Sequence, residues 1–260
     1  MNSFKALLLI AIAITTLAVS CKRDDDEASY ETAQLEIRLA DAPGSFDIVN
    51  VDIQLIAVKM IGGTEMVLTP NAPGQYNLLK LNNGKDSLLL DMTLPVGTLE
   101  SIRLVFGGNN NVTIKGVKYN MNAPTIAEGM LPLDFDKTIK ANNTYKVWID
   151  MDAGRSVIKT GASSYKLVPV LKTYTFGTNG RIDGTVLPKA ANATIYAVSG
   201  ADTAVAIPSD STGYFMFSGL AAGSYQLIAV ADTAGFSPNT RTVNVNKGNL
   251  TSAGTISLVP

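Results

Sequence analysis

The chain has 260 residues, 46% of them hydrophobic, with 21 Lys plus Arg against 22 Asp plus Glu and a formal net charge of −1. That near-neutral balance argues against a nucleic-acid partner, which needs basic surface to neutralise phosphates. There is no His and a single Cys, so Ser-His-Asp and Cys-His nucleophilic pairs, His-bound metals, disulfides and Cys-ligated metals are all removed.

Residues 1–20 carry one charge, Lys5, and then an apolar run from Ala6 to Ala18. A membrane-spanning helix needs ~20 apolar residues to cross ~30 Å of hydrocarbon. This run is shorter and has the anatomy of a cleaved secretory signal. Leu17, Ala18, Val19 and the small Ser20 lead into Cys21. The stretch resembles the lipobox of bacterial lipoproteins, which implies a lipid thioether on Cys21, cleavage before it and acylation of the new amino terminus. Two or more acyl chains make a stable anchor, at ~0.8 kcal/mol per buried CH₂. The competing reading is a plain secretion signal that leaves Cys21 as a free thiol. Lys22, Arg23, Asp24, Asp25, Asp26 and Glu27 follow. They resemble the surface-export signal of Bacteroidota lipoproteins. In bare chemistry they are a self-repelling, extended tether, and the two readings are compatible. The expected location is the outer membrane, lipid-anchored and displayed on the cell surface.

From residue 33 onward the pattern is that of strands. Leu35, Ile37 and Leu39 alternate with Gln34, Glu36 and Arg38, the period of a half-buried strand. Asp41-Ala42-Pro43-Gly44 ends it with turn residues. Val49, Val51, Ile53 and Leu55 alternate, then the phase slips to Ile56, Val58 and Met60, which predicts a β-bulge. Gly62-Gly63 predicts a hairpin into Met66-Val67-Leu68, and Asn83-Gly84 predicts a second one into Leu88-Leu89-Leu90. Leu94-Pro95-Val96-Gly97 is another turn. Ile102, Leu104 and Phe106 share a face, and Val112 and Ile114 resume the alternation. Val147, Ile149 and Met151 lie on one face of a strand, with Trp148, Asp150 and Asp152 on the other. Leu167 to Phe176 reads as one further strand. No long 3.6-residue period follows residue 21. The expected fold class is all-β, as two consecutive sandwich-like domains.

Several pieces carry a resemblance, in order across residues 33–176. They are Asp41 to Val51, Tyr76 to Gly84, Leu94 to Gly97, Ile102-Arg103-Leu104, Ile149 to Asp152 with Ser156, and Tyr165 to Val170. Together they resemble the Bacteroidota lipoproteins of the domain of unknown function 4382 family, which implies no known activity. Gly177-Thr178-Asn179-Gly180 is a joint of turn residues. After it, Arg181 to Val186, Ala193 to Val198 and Ser209 to Leu227 resemble the carboxypeptidase regulatory-like domain, a transthyretin-like or carbohydrate-binding-like β-sandwich. That resemblance implies a spacer or binding module without peptidase chemistry. The expected organisation is a signal peptide at 1–20, an acidic tether at 21–32, an all-β domain at 33–176 and a regulatory-like sandwich at 177–260.

Candidate chemistry is sparse. Asp150 and Asp152 lie two apart, ~7 Å along a strand, and Asp134 and Asp136 repeat the spacing. Such pairs suit either Ca²⁺, which wants six to eight oxygens, or glycoside hydrolysis. The bland reading is a solvated face. Trp148, the only Trp, is either a sugar-stacking platform beside Asp150 or an aromatic packed beneath the neighbouring domain. Asp86-Ser87-Leu88, Asp202-Thr203-Ala204, Asp210-Ser211-Thr212 and Asp232-Thr233-Ala234 match a short O-glycosylation pattern. No catalytic residue, metal or cofactor is expected. The expected role is binding or adhesion at the envelope, to glycan or to another envelope protein. A pilus-like structural subunit is the alternative, and a carboxylate-dependent hydrolase stands third.

The anchor is directly testable. Cys21→Ser should leave an uncleaved or soluble product that avoids the detergent phase in phase partitioning. A mature-sized Ser variant in that phase would remove the lipoprotein reading.

Overall fold

Alternating apolar residues build strands through most of the molecule. The computed structural model describes residues 31–124, 131, 133, 137–209 and 211–260. The signal segment, Cys21, the run Lys22 to Glu27, Asp134, Asp136 and Asp210 lie outside the described residues. Residues 31–260 form one unit, whose described residues hold two large hydrophobic cores and a small cluster of Ala40, Trp148 and Tyr174. The fold is all-β, as the alternation predicts, with sheets arranged as sandwiches.

The first sandwich holds β1 (Thr32–Ala42), β2 (Ile48–Met60), β3 (Met66–Leu68), β4 (Gly74–Asn77), β5 (Ser87–Pro95), β6 (Gly97–Phe106), β7 (Asn110–Ile114), β8 (Val117–Asn122), β9 (Thr138–Ile139) and β10 (Thr144–Asp152). A single helical turn α1 (Ala153–Ser156), then β11 (Val157–Lys159), β12 (Tyr165–Leu167) and β13 (Leu171–Tyr174), complete it. One sheet has the order β13-β10-β1-β5, and the other runs β11-β12-β8-β7-β2-β6-β9 with β3 and β4 also on β2. At the centre of the first sheet β1 pairs in parallel with β10, from Gln34–Thr144 to Ala42–Asp152. Leu35, Ile37, Leu39, Val147, Ile149 and Met151 form the inner face and meet Val49, Val51, Ile53, Ile56 and Val58 of the other sheet. Each such side chain contributes ~1.5–3 kcal/mol on full burial.

The second sandwich holds β14 (Gly180–Leu187), β15 (Ala193–Ser199), β16 (Asp202–Ala206), β17 (Tyr214–Leu220), β18 (Gly223–Ala231), β19 (Asn239–Val245) and β20 (Leu250–Ser257). Its sheets are β17-β14-β20 and β16-β15-β18-β19. Phe215, Ile182, Ile195, Leu227 and Ile256 fill a core of its own. Gly213 shows the local stereochemistry at work. Its φ is +74°, and a Cβ there would lie 2.3 Å from the Val186 carbonyl oxygen. Only glycine fits both the left-handed turn and the close approach.

The slip in β2 is a real bulge. Val49, Val51 and Ile53 are buried, Gln54 and Leu55 are half-buried, and burial resumes at Ile56 and Val58. The pairing with β6 changes register between Ile53 and Leu55. Three expectations need correction. Asn83 and Gly84 do adopt left-handed φ values of 52° and 80°, but they do not close a hairpin, because β4 pairs with β2 and β5 with β1. Residues 167–176 are not one strand. Val168-Pro169-Val170 interrupts them, β12 joins one sheet and β13 the other; Pro169 lacks the N–H a continuing ladder needs. Finally, β10 is buried on both faces from Val147 to Met151, since Trp148 and Asp150 are enclosed as well as Ile149 and Met151.

Two cores predict two foldable fragments. Residues 28–177 and 178–260 should each give β-type circular dichroism and cooperative melting, the smaller at the lower temperature because small cores are marginal. Two unfolded fragments from a folded parent would mean that neither core forms alone.

Candidate functional site

The outer face of the β1–β10 pair carries a chain of paired polar groups, and the part around Trp148 and Asp150 is covered by neighbouring structure. Trp148 is 6% exposed. Its ring stacks on Phe176 at 4.0 Å and on Tyr174 at 5.7 Å between centroids. The Arg181 guanidinium lies 4.2 Å from the Phe176 ring centroid, a cation–π distance. The Trp148 Nε1–H donates to Asp86 Oδ2 at 2.8 Å. The other Asp86 oxygen accepts from Arg38 at 2.7 Å. Arg38 also bonds Glu36, whose second oxygen pairs with Lys146 at 3.0 Å. Burial pushes the Glu36 carboxyl up, but hydrogen bonds from Lys146 and Arg38 outweigh it and hold the group below its ordinary range.

The same surface is where the two sandwiches meet. The Asn83 Nδ2 donates to the Ile207 carbonyl at 2.9 Å, and Asn83 Oδ1 accepts from the Met216 N–H at 3.1 Å. These bonds explain the Asn-Gly turn: it presents an amide to the second sandwich rather than reversing a hairpin. Gly84 is pressed against Met216, so that a Cβ there would lie 2.6 Å from the sulfur. Gly219, at φ +70°, lets the Tyr174 ring in as closely, with a Cβ–ring distance of 2.6 Å. Burial and the nearby Asp150 charge push the Tyr174 hydroxyl far above its ordinary range, so it stays neutral.

The carboxylates of β10 sit at the edge of this junction. Asp150 is buried and pairs with Lys172 at 3.1 Å. Asp152 caps α1 by accepting from the Arg155 N–H at 2.8 Å. Asp41, which the sequence reading placed only in a turn, lies beside them at the end of β1. It is 7% exposed; Oδ1 accepts from the Ala153 N–H at 3.1 Å, and Oδ2 is buried without a hydrogen-bond partner. Burial, then the Asp150 charge, pushes the Asp41 carboxyl well above the carboxylate range, and burial raises Asp152 too. A cavity of about 40 Å³, lined by Asp41, Asp86, Trp148, Asp150, Lys172 and Met216 among others, separates these groups. That is room for a water rather than for a sugar. Among the described residues no group of three or more Asp, Glu, Cys or His is arranged to hold a metal ion.

The structure therefore brings Trp148 and Asp150 together and adds Arg38 and Asp41 from β1 with Asn83 and Asp86 from the loop before β5, a grouping that alternation alone could not give. The left-handed Asn83-Gly84 pair was the available signal. Asp86, read as the start of a glycosylation triplet, has its carboxylate bonded to Trp148 and Arg38. A wider groove of about 720 Å³ opens alongside, lined by Asn82, Lys85, Ser209, Ser211, Thr212 and Tyr214 among others.

Asp41 yields a pH prediction. A raised native value means that the folded protein holds a proton the unfolded chain has lost. The associated stability is fully present below the unfolded value of ~3.9 and is lost as pH rises through the native value. Asp152 acts in the same sense. Asp41→Asn keeps an acceptor for the Ala153 N–H and removes the ionisation. Urea melts from about pH 4 to pH 8 should show a shallower decline for Asp41→Asn, which becomes the more stable form at the upper end. Parallel curves would show that Asp41 ionises as easily folded as unfolded.

No curated protein matches the chain. Among solved structures it is similar to the Bacillus anthracis TIE protein, at 12% identity and a TM-score of 0.26, covering 88% of this chain and 35% of that one. It is similar to GBS52, the minor pilin of Streptococcus agalactiae, at 11% identity and 0.25, covering 86% and 96%. The third is BcpA, the major pilin subunit of Bacillus cereus, at 10% identity and 0.24, covering 88% and 99%. The chain thus spans about a third of the TIE protein, and overlaps this slight assign no function. The family described as Domain of unknown function (DUF4382) matches residues 32–169. With more than half of its length matched, the chain belongs to the DUF4382 family.

Proposed function

We propose that the protein is a non-enzymatic structural subunit of the cell envelope, the membrane-anchored member of a pilus-like surface assembly. Lipid on Cys21 holds it to the outer membrane, and the acidic run after it directs it to the cell surface. The junction is the observation that supports this reading. A catalytic cleft leaves its polar groups open to substrate, whereas here all but Asp41 Oδ2 and Arg181 Nε among those described above are bonded within the protein. Trp148 is bonded to Asp86, Asp150 to Lys172 and Asp152 to the α1 backbone. The result is two sandwiches held in contact by the Asn83 bonds to Ile207 and Met216, by the Tyr174 ring against Gly219 and by Arg181 over the Phe176 ring, a suitable connection for a protein that transmits position rather than turning over a substrate.

A second reading, binding or adhesion, is favoured by the groove beside the junction. Asn82, Lys85, Ser209, Ser211, Thr212 and Tyr214 offer hydroxyls, an amide, a cation and one aromatic ring, a mixture suited to a carbohydrate or a polar segment of an envelope protein. A carboxypeptidase regulatory-like second domain fits either role.

Cross-linking of intact cells decides between them. The structural reading expects a ladder of high-mass species containing this chain. A single monomeric band would overturn it. A monomer retained by one class of glycan on an array would establish the second reading in its place.

A further inference from the structure

The end of the first sandwich at which the chain enters is a cluster of strand tips. Both central strands start there, because β1 and β10 are parallel. β2 ends there, and the turn between β5 and β6 closes there. Backbone bonds tie these tips together. The Val96 N–H donates to the Glu31 carbonyl at 3.0 Å and the Asn142 N–H to the Thr32 carbonyl at 2.9 Å. The Ile61 N–H donates to the Thr98 carbonyl at 2.8 Å and the Leu99 N–H to the Lys137 carbonyl at 2.9 Å. Two apolar tips project from this cluster: Ile61, 65% exposed, and Val96, 38% exposed. Lys137, Lys140 and one carboxylate, Glu31, are exposed beside them.

Scattered exposed apolar residues are ordinary on a protein surface, and Val117 at the opposite end is 51% exposed. Chain geometry distinguishes the two ends. Cys21 precedes Glu31 by ten residues, and an extended chain spans at most ~3.6 Å per residue, so roughly 36 Å is the longest separation. β2 alone, at 13 residues, carries the far end ~40 Å further away at ~3.3 Å per residue. A lipid on Cys21 therefore holds the Ile61–Val96 end within roughly 36 Å of the bilayer and makes it the end the anchor brings nearest. Apolar tips flanked by lysines suit an interface whose headgroups are partly anionic.

We infer that the Ile61–Val96 end of the first sandwich is a membrane-contact surface that seats on lipid headgroups, with Lys137 and Lys140 meeting anionic lipid. The inference rests on the anchor reading, and its test separates the two. The lipidated protein is reconstituted into vesicles of phosphatidylethanolamine and phosphatidylglycerol. Ile61→Cys, Val96→Cys and, at the far end, Lys115→Cys each receive a nitroxide. Lipid on Cys21 leaves the introduced thiol as the only one available. Labels at positions 61 and 96 should gain access to dissolved oxygen and lose access to a water-soluble nickel chelate, while position 115 stays fully water-accessible. Nitroxide attachment to Cys21 in the parent protein would overturn the inference together with the anchor. A blocked Cys21 with all three positions equally open to nickel would overturn the inference alone. Hydrogen exchange of the unlabelled protein supplies a check free of substitutions, since amides 61–64 should slow in vesicles relative to detergent.

Discussion

The parallel ladder between β1 and β10 is the constraint on which the rest depends. Residues 34–42 and 144–152 lie about a hundred positions apart in the chain, and nine register pairs join them. Parallel neighbours require a long crossover, here the whole of β2 to β9. One face of the ladder supplies Leu35, Ile37, Leu39, Val147, Ile149 and Met151 to the core. The other supplies Arg38, Ala40, Trp148 and Asp150 to the junction. A slip of one residue in either strand would exchange these faces, exposing the core residues and burying the charges of Glu36 and Lys146.

How much of this was legible follows from what a period of two encodes. It reports the two faces of a strand, so the strands and the bulge after Ile53 could be read directly. It does not report neighbours. Nothing in Leu35, Ile37 and Leu39 specifies β10 rather than β2 as the adjacent strand. Val168-Pro169-Val170 looks continuous with its flanks until two sheets are seen to compete for them. Trp148 could be read as a platform or as a packed ring, because the residues that decide its surroundings, Asp86, Tyr174 and Phe176, come from other elements. The candidate site was thus visible as residue types and invisible as an arrangement.

Two carboxyls at the junction are shifted in opposite senses, Glu36 downward by its cationic partners and Asp41 upward by burial. Glu36, Arg38, Lys146 and Asp86 form a continuous chain of pairs that ends on the indole N–H. Asp150 has Lys172. Asp41 has only one backbone N–H for two oxygens, with Asp150 nearby, and there the neutral acid is favoured. Burying a carboxylate without a cation is costly enough that protonation is the cheaper outcome.

The route of the chain through the first sheet also sets its mechanics. The chain enters at the start of β1 and leaves through β13, on the far side of β10. β13 is antiparallel to β10, so it runs back toward the end at which β1 begins. Tension between those two points opens the four register pairs of the β10–β13 ladder from the Tyr174 end, ahead of the nine pairs that join β1 to β10. The exit strand is thus the part of this sheet that yields first, and the central parallel pair the part that lasts.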